Sequence, residues 1–308
     1  MKNKMLSFLI AAHNEEKMIG RVLDNLISIP YPNYEIILGL DGCTDETENI
    51  VKSYCKKSSK IRYYNLSLRQ GKPAVIDKII RQASGEIIII QDADWIFNVK
   101  DGKSLKKFIE VFDNPKIGGI AESYPIQYPL RSDAGILEQG IMLQNSVWLD
   151  YLKQAGKKID DNWVLADKKS HPLLVNILRK KLYKSNKTLG DDFERFRDII
   201  SAKKDVLIIN KPSMPRMITI GEKYRFRDII KQKERTAIAR RQLAENPVGK
   251  RFYSFNFLFY VLKRAIKMNF KEKFAFFLIS LAFLIGTLKS KLNNKISTRE
   301  GWNLRLRR

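Results

Sequence analysis

Gly85-Glu86-Ile87-Ile88-Ile89-Ile90-Gln91-Asp92-Ala93-Asp94 is the stretch on which the fold turns. Four consecutive isoleucines leave no polar face, so residues 86–90 read as a strand covered on both sides, central in a mostly parallel sheet. The carboxylates that follow stand at the strand's carboxyl end, where open α/β sheets bind their ligands. An Asp-x-Asp by itself is equally a solvated turn or a helix cap. Behind a buried strand, the pair offers hard oxygen ligands suited to Mg²⁺ or Mn²⁺ bridging phosphate oxygens.

Outward from this strand, apolar runs alternate with helical patterns, the mark of an α/β fold with a mostly parallel sheet flanked by helices. Strands are predicted over 5–11, 34–40, 61–64, 117–122 and 206–209. Helices are predicted over 15–28, 44–56, 72–83, 101–113, 192–201 and 227–245. Residues 131–190 are helical in parts and give no clear assignment. Two further polar clusters follow strands, Ala11-Ala-His-Asn-Glu-Glu16 and Asp41-Gly-Cys-Thr-Asp45, and with Asp92-Ala-Asp94 they open on one edge of the sheet. Thr44 reads as a cap of the next helix. Gly71-Lys72-Pro73 starts a helix and puts a cation beside backbone amides, an arrangement suited to phosphate.

The net charge is +24 and 44% of residues are apolar, enough for a substantial core. The charge is uneven: residues 203–308 hold 26 lysines and arginines against 7 acidic residues. Such a field attracts nucleic acid, anionic lipid or a pyrophosphate-bearing substrate. What accompanies it points to lipid. Residues 252–262 and 274–288 are uncharged, rich in aromatic and aliphatic side chains, and flanked by lysine and arginine. As a helix the second run measures ~22 Å, short of the ~30 Å hydrocarbon core, so helices lying in or dipping into the membrane interface fit better than an upright span. The basic flanks suit the cytoplasmic face of the cell membrane, bound peripherally or integrally. Nucleic acid is not an expected partner.

Cys43 and Cys55 read as reduced thiols, with no histidine cluster beside them to build a zinc site. The N-terminal apolar segment is too short for a signal sequence and reads as a buried first strand of a cytoplasmic protein.

The motifs resemble the family 2 glycosyltransferases, whose fold is called GT-A. Ala11-Ala-His-Asn-Glu-Glu16 is similar to the family's Pro-x-x-Asn-Glu start, and Asp41-Gly-Cys-Thr-Asp45 to its Asp-Gly-Ser-Thr-Asp turn. Arg69-Gln-Gly-Lys72, with residues 83–94, follows its Gly-Lys to Gly-Glu to Asp-Ala-Asp stretch. The resemblance implies a metal-dependent inverting transferase that moves a sugar from a UDP- or GDP-sugar to a lipid-linked or glycan acceptor. It implies that Ala12 and Glu15 lie along the nucleotide, that Asp41 faces its base, and that Lys72 and Asp92 lie near base and ribose. Asp94 would hold the Mn²⁺ or Mg²⁺. His13 is then a strand-end residue near the nucleotide and no metal ligand, and His171 a loop residue.

Downstream, Thr188-Leu-Gly-Asp-Asp-Phe-Glu-Arg195 resembles the family's acidic motif and gives Asp192 the part of general base. Adjacent carboxylates raise one another's pKa, which suits a base. Gln232-Lys-Glu-Arg235-Thr236 is similar to the Gln-x-x-Arg-Trp motif of membrane-bound members. Gln232 and Arg235 would serve the diphosphate, while Thr236 in place of the tryptophan speaks against processive polymer synthesis. No Gly-rich acceptor motif stands between Asp94 and Asp191; Asn162-Trp163 and residues 176–179 are the candidates. The implied organisation is a catalytic domain over 1–222, with its nucleotide-sugar half at 1–120 and acceptor half at 121–222, followed by basic and apolar helices over 223–308. A nucleotidyltransferase is the rival enzyme, disfavoured because Ala11-Ala-His-Asn lacks a Gly-rich phosphate loop. A non-catalytic lipid- or nucleic-acid-binding protein is disfavoured by intact Asp92, Asp94 and Asp192.

Overall fold

The isoleucine run lies fourth in a nine-stranded sheet. The structure is a computed structural model that describes residues 4–121, 135–168, 173–185, 188–220, 224–244 and 255–292. Strands β1 (Leu6–Ala12), β2 (Tyr34–Asp41), β3 (Ile61–Leu66) and β4 (Ile87–Asp92) are parallel, in the order β3-β2-β1-β4. Their carboxyl ends therefore share one edge, as the three polar clusters require.

Alternation divides the side chains of β4 between two apolar layers. Ile87 and Ile89 pack with α1 (Ile19–Ile27), α2 (Thr47–Lys57) and α4 (Gly102–Glu110); Ile88 and Ile90 pack with α3 (Lys72–Ile79), α5 (Ile136–Ala155) and α6 (Asp191–Ser201). The strand extends two residues beyond the predicted end. By parity it carries Gln91 to the first layer and Asp92 to the second, where α3 and α6 begin.

Beyond β4 the sheet departs from a simple parallel array. β9 (Val175–Arg179) inserts antiparallel between β4 and β6 (Ile117–Ala121). β10 (Asp205–Ile209) then runs parallel to β6, and β8 (Trp163–Leu165) and β7 (Lys157–Lys158) close the edge antiparallel. β5 (Trp95–Asn98) pairs with β11 (Arg216–Thr219) as a separate two-stranded sheet. The sequence reading gave none of β5, β7, β8, β9 and β11: each is five residues or fewer, with too little alternation to stand out.

Two predicted helices start late. α1 begins at Ile19 because residues 13–18 form a loop, in which Asn14 takes a positive φ of 54°. Thr44 does not cap α2. Its backbone N–H donates to Asn14 Oδ1 at 2.8 Å, and Asp45 instead accepts from the Thr47 N–H at 3.0 Å and the Glu16 N–H at 3.1 Å. The clusters after β1 and β2 are thus one hydrogen-bonded surface.

Of three C-terminal helices, α7 (Phe226–Ala244), α8 (Phe255–Ile266) and α9 (Phe270–Leu292), α8 and α9 pack on α5, and α7 packs on α9. α9 buries a stripe of Ala275, Ile279, Ala282, Gly286 and Ser290. A Cβ on Gly140 of α5 would lie 2.4 Å from the Ala275 carbonyl oxygen, and one on Gly286 would lie 2.7 Å from the Glu234 nitrogen. Glycine at both points lets the backbones touch. The helix continues through its lysine flanks to 23 residues, about 34 Å, so the sequence-based length of its apolar run understates it. Residue 122, residues 252–254 of the first apolar run, residue 245 and His171 lie outside the described residues.

Candidate active site

A cavity of about 650 Å³ opens where β4, α3, α5, α6 and α7 meet, within the range that holds a substrate-sized ligand. Lys72, Asp92, Asp191, Asp192, Gln232 and Arg235 all line it. The start of α6 puts its two aspartates at one end, and α7 lays Gln232 and Arg235 alongside them. Residues from 72 to 235 therefore form one polar surface.

The charges in it are ordered. Lys72 Nζ donates to Asp92 Oδ1 at 2.7 Å and stands 3.8 Å from Asp191 Oδ2. Arg195 is 1% exposed. Its guanidinium donates to Asp191 Oδ2 at 2.8 Å, to the Val175 carbonyl at 2.6 Å and to the Asn176 Oδ1. Burial acts to raise the Asp191 pKa, but the charges of Lys72 and Arg195 outweigh it and hold the group down, to about 2. Asp192 goes the other way. Burial, then the negative charge of Asp191 beside it, push its carboxyl up to about 6. Two adjacent carboxylates are thus split into a permanently charged one and one that exchanges its proton near neutrality.

α6 is held at its start by its own sequence. The Thr188 N–H donates to Glu194 Oε1 at 2.8 Å, and the Gly190 N–H donates to Thr188 Oγ1 at 3.1 Å. α7 fastens the same turn, with Gln242 accepting from the Leu189 N–H at 3.0 Å and Arg235 donating to the Leu189 carbonyl at 3.3 Å.

Asp41 is fully buried, and its two carboxylate oxygens accept the N–H groups of Gln70 at 2.6 Å and Gly71 at 2.8 Å. That fixes the loop from which Lys72 starts α3. Gly42 follows with φ 63°, and a Cβ there would lie 2.9 Å from the Arg69 nitrogen. His13 Nδ1 lies 2.6 Å from the Asp41 carbonyl oxygen, and the Glu15 N–H donates to Thr47 Oγ1 at 2.7 Å. Ala12, which ends β1, Asp41, which ends β2, and Glu15 and Asp94 in the loops that follow strands lie outside the cavity lining. Asp94 is 8% exposed, and its carbonyl accepts the Ile220 N–H at 3.0 Å.

Of the acceptor-motif candidates, Asn176 lines the cavity, whereas Trp163 packs on Phe108 in the core. Arg179 donates to the carbonyls of Ile117 and Phe112 and so fastens strand ends. Cys43 and Cys55 are unbridged thiols, each raised in pKa by burial. Away from the carboxylates the cavity wall turns apolar, with Ile141 and Trp148 of α5, Phe257 and Val261 of α8, and Phe276 and Phe283 of α9. Lys233, Gln144 and Arg240 line the wall as well. As cavity residues all of these escaped sequence reading: Phe257, Val261, Phe276 and Phe283 fell within the two apolar runs read as membrane-associating, and the others have the spacing of ordinary helices.

The profile described as Glycosyl transferase family 2 matches residues 7–139, the stretch that holds all three polar clusters, Asp92-Ala-Asp94 among them. Residues 7–139 are a glycosyl transferase family 2 domain. Poly-beta-1,6-N-acetyl-D-glucosamine synthase of Staphylococcus epidermidis is 31% identical over 115 residues, 37% of this chain and 27% of that protein. Human dolichyl-phosphate beta-glucosyltransferase is 32% identical over 114 residues, 34% of this chain and 35% of that one. The matches therefore span about a third or less of those relatives' length. In fold, the chain is similar to a mannosyltransferase from Pyrobaculum calidifontis solved with GDP-Man and Mn²⁺. The TM-score is 0.66 at 12% identity, covering 96% of this chain and 89% of that one. The fold is GT-A. Asp192, Gln232 and Arg235 lie beyond the family 2 domain match, and folding brings them to it.

Proposed function

We propose that the protein is a metal-dependent inverting glycosyltransferase. It moves a sugar from a UDP- or GDP-sugar to a lipid-linked or glycan acceptor at the cytoplasmic face of the membrane. The observation that carries this reading is the split pair, with Asp192 raised to about 6 in the same cavity as Lys72, Asp92, Gln232 and Arg235. A general base works best when its pKa lies near the operating pH and it has a route to the acceptor hydroxyl.

In this reading the nucleotide lies over Ala12, Glu15 and the loop held by Asp41, with Lys72 and Asp92 at the base and ribose. Gln232 and Arg235 take the diphosphate. Asp192 removes the proton of the acceptor hydroxyl as its oxygen attacks the anomeric carbon from the face opposite the diphosphate, which inverts that centre. Asp191, neutralised by Lys72 and Arg195, keeps Asp192 basic without competing for the proton. Among the described residues no three His, Cys, Asp or Glu side chains gather into a complete metal cage. Asp94 nevertheless supplies the hard carboxylate that Mn²⁺ or Mg²⁺ accepts together with diphosphate oxygens. When bound, the ion would neutralise charge on the departing diphosphate.

The relatives' names, a glycan synthase and a dolichyl-phosphate glucosyltransferase, fit the acceptor classes named. The membrane reading draws on α8 and α9, which carry all but two of the exposed large apolar side chains among the described residues. The test is a panel of UDP- and GDP-sugars assayed for hydrolysis or transfer with and without Mn²⁺. Turnover of one donor, lost with EDTA and with Asp192→Asn, supports the reading. Indifference to every donor, or full turnover in Asp192→Asn, overturns it.

A further inference from the structure

One glutamine interrupts the apolar run of β4. Gln91 is fully buried, at 0% exposure, directly after the four isoleucines and directly before Asp92. Its side-chain Nε2 donates to the Trp95 carbonyl oxygen at 2.6 Å. A carbonyl only accepts, so the amide nitrogen must face Trp95 and the amide oxygen must point elsewhere. That oxygen, Oε1, is buried and among the described residues has no hydrogen-bond partner. Burying an amide with its oxygen unsatisfied costs stability that a leucine or methionine in the same layer would not. What the residue offers in return is the one bond it makes.

That bond closes a ring from residue 91 to residue 95, around Asp92, Ala93 and Asp94. Ala93 packs in the same apolar layer as Ile87 and Ile89, which seats the turn on the core. β11 holds the far end: Trp95 pairs with Thr219, and the Asp94 carbonyl accepts the Ile220 N–H at 3.0 Å. A second side-chain amide anchors the strand beyond, with Asn25 Oδ1 of α1 accepting the Phe97 N–H at 2.8 Å. β4 brings the chain in, β11 fixes its exit, and Gln91 sets the curvature between them. Asp92 meets Lys72 within this ring, so the ring's shape decides where the second carboxylate stands relative to the first. Groups that orient a ligand from behind typically change metal affinity about 10–100-fold.

Resting on the transferase reading above, we propose that Gln91 is a positioning residue. Its amide holds the turn of residues 92–94 in the shape in which the Asp94 carboxylate meets a divalent cation together with the donor diphosphate. Gln91 touches neither cation nor donor and acts through the Trp95 carbonyl. Methionine, similar in size and unable to donate, keeps the layer filled and releases the turn.

The test is Mn²⁺ binding to the full chain with UDP or GDP present, followed by the electron paramagnetic resonance of the free ion. Hydrogen exchange of the amides of residues 92–96 is followed beside it in the metal-free chain. In Gln91→Met the Mn²⁺ affinity is expected to fall about tenfold or more, and the exchange to quicken about tenfold. The melting temperature is expected to stay close to the parent's, because removing the unsatisfied oxygen and depriving the Trp95 carbonyl of its donor act in opposite directions. Ile87→Val, in the same strand and layer, is expected to melt lower and to bind Mn²⁺ as the parent does. An equal loss of Mn²⁺ affinity in Ile87→Val overturns the proposal, as does unchanged exchange in Gln91→Met. Parent-like Mn²⁺ affinity in Gln91→Met overturns the proposal alone, whereas a parent that binds no Mn²⁺ with either nucleotide overturns the metal-dependent reading and the proposal together.

Discussion

The ammonium of Lys72, at the start of α3, donates to the carboxylate of Asp92, at the end of β4, across 2.7 Å. The same ammonium faces Asp191 at 3.8 Å, so one side chain ties the end of β4 to the start of α6. Lys72→Met leaves Asp92 and Asp191 facing each other with one cation fewer, a loss of about 2–3 kcal/mol in donor binding and transition-state contacts, or roughly 100-fold in kcat/KM for the donor. Lys72 also lowers the Asp192 pKa. The acid limb of the pH profile should therefore move to higher pH in the variant. An unchanged limb would remove Lys72 from the electrostatics of the base.

In the proposed mechanism Asp192 must be unprotonated to act as the base. With Asp192 raised to about 6, kcat/KM should climb about tenfold per pH unit below that value and level off above it. Asp192→Asn should lose ~10²–10⁴-fold in kcat at pH 7.5. The effect on stability has the opposite sign. A carboxyl whose folded pKa lies above its unfolded value of about 3.9 destabilises the fold as pH rises from about 4 through about 6. Asp192→Asn should therefore melt higher than the parent at pH 7.5 and no higher at pH 4, as followed by circular dichroism.

Asp191 and Arg195 are the structural counterpart. Arg195→Met, at 1% exposure, strands the Asp191 charge and the Val175 and Asn176 oxygens; the expected cost is about 3–5 kcal/mol in denaturant unfolding. In the parent, the stability Asp191 contributes is present above about pH 4 and is lost as pH falls through about 2.

What could be read in the sequence followed the strength of local signals. β4 and its carboxylates were legible because four isoleucines and a following Asp-x-Asp fit one placement in an α/β sheet. Asp192, Gln232 and Arg235 were found as motifs; their meeting in one cavity was not legible, since it depends on β9 inserting between β4 and β6. Arg195, whose guanidinium organises the acidic pair, looked like one more basic residue on an amphipathic helix. Lys233 and Gln144 were equally silent, because a lysine of α7 and a glutamine of α5 meet on one cavity wall only in the folded chain. The late start of α1 hid in tertiary bonds, with Asn14 engaged by Thr44 thirty residues on.

Gly286 tests the close contact between α9 and α7. A Cβ there would lie 2.7 Å from the Glu234 nitrogen and 2.8 Å from the Ile230 carbonyl oxygen, both backbone atoms. Gly286→Val should cost about 1–3 kcal/mol through overpacking. Because α7 carries Gln232 and Arg235, donor KM should rise with the loss of stability. Gly102→Ala, at a helix start where the nearest atom to the new Cβ is the Pro30 carbonyl oxygen at 3.4 Å, serves as the control that leaves both unchanged.

The outer face of α9 decides the membrane question. Phe274, Phe277, Leu284 and Leu288 are each at least half exposed on the side away from α7, and fully burying such a side chain gains roughly 1.5–3 kcal/mol. Half-buried in a lipid interface, the four together would still supply several kcal/mol, next to the attraction of Lys271, Lys273, Lys289 and Lys291 for anionic headgroups. Replacing the four with serine should lower partitioning onto anionic vesicles by more than about 100-fold in sedimentation while leaving the cavity lining intact. Raising salt from 0.1 M to 1 M, where the screening length falls from about 10 Å to about 3 Å, should weaken binding of the parent without abolishing it. If salt alone releases the parent, or the serine variant sediments as the parent does, the apolar face has no part in membrane attachment and charge accounts for all of it.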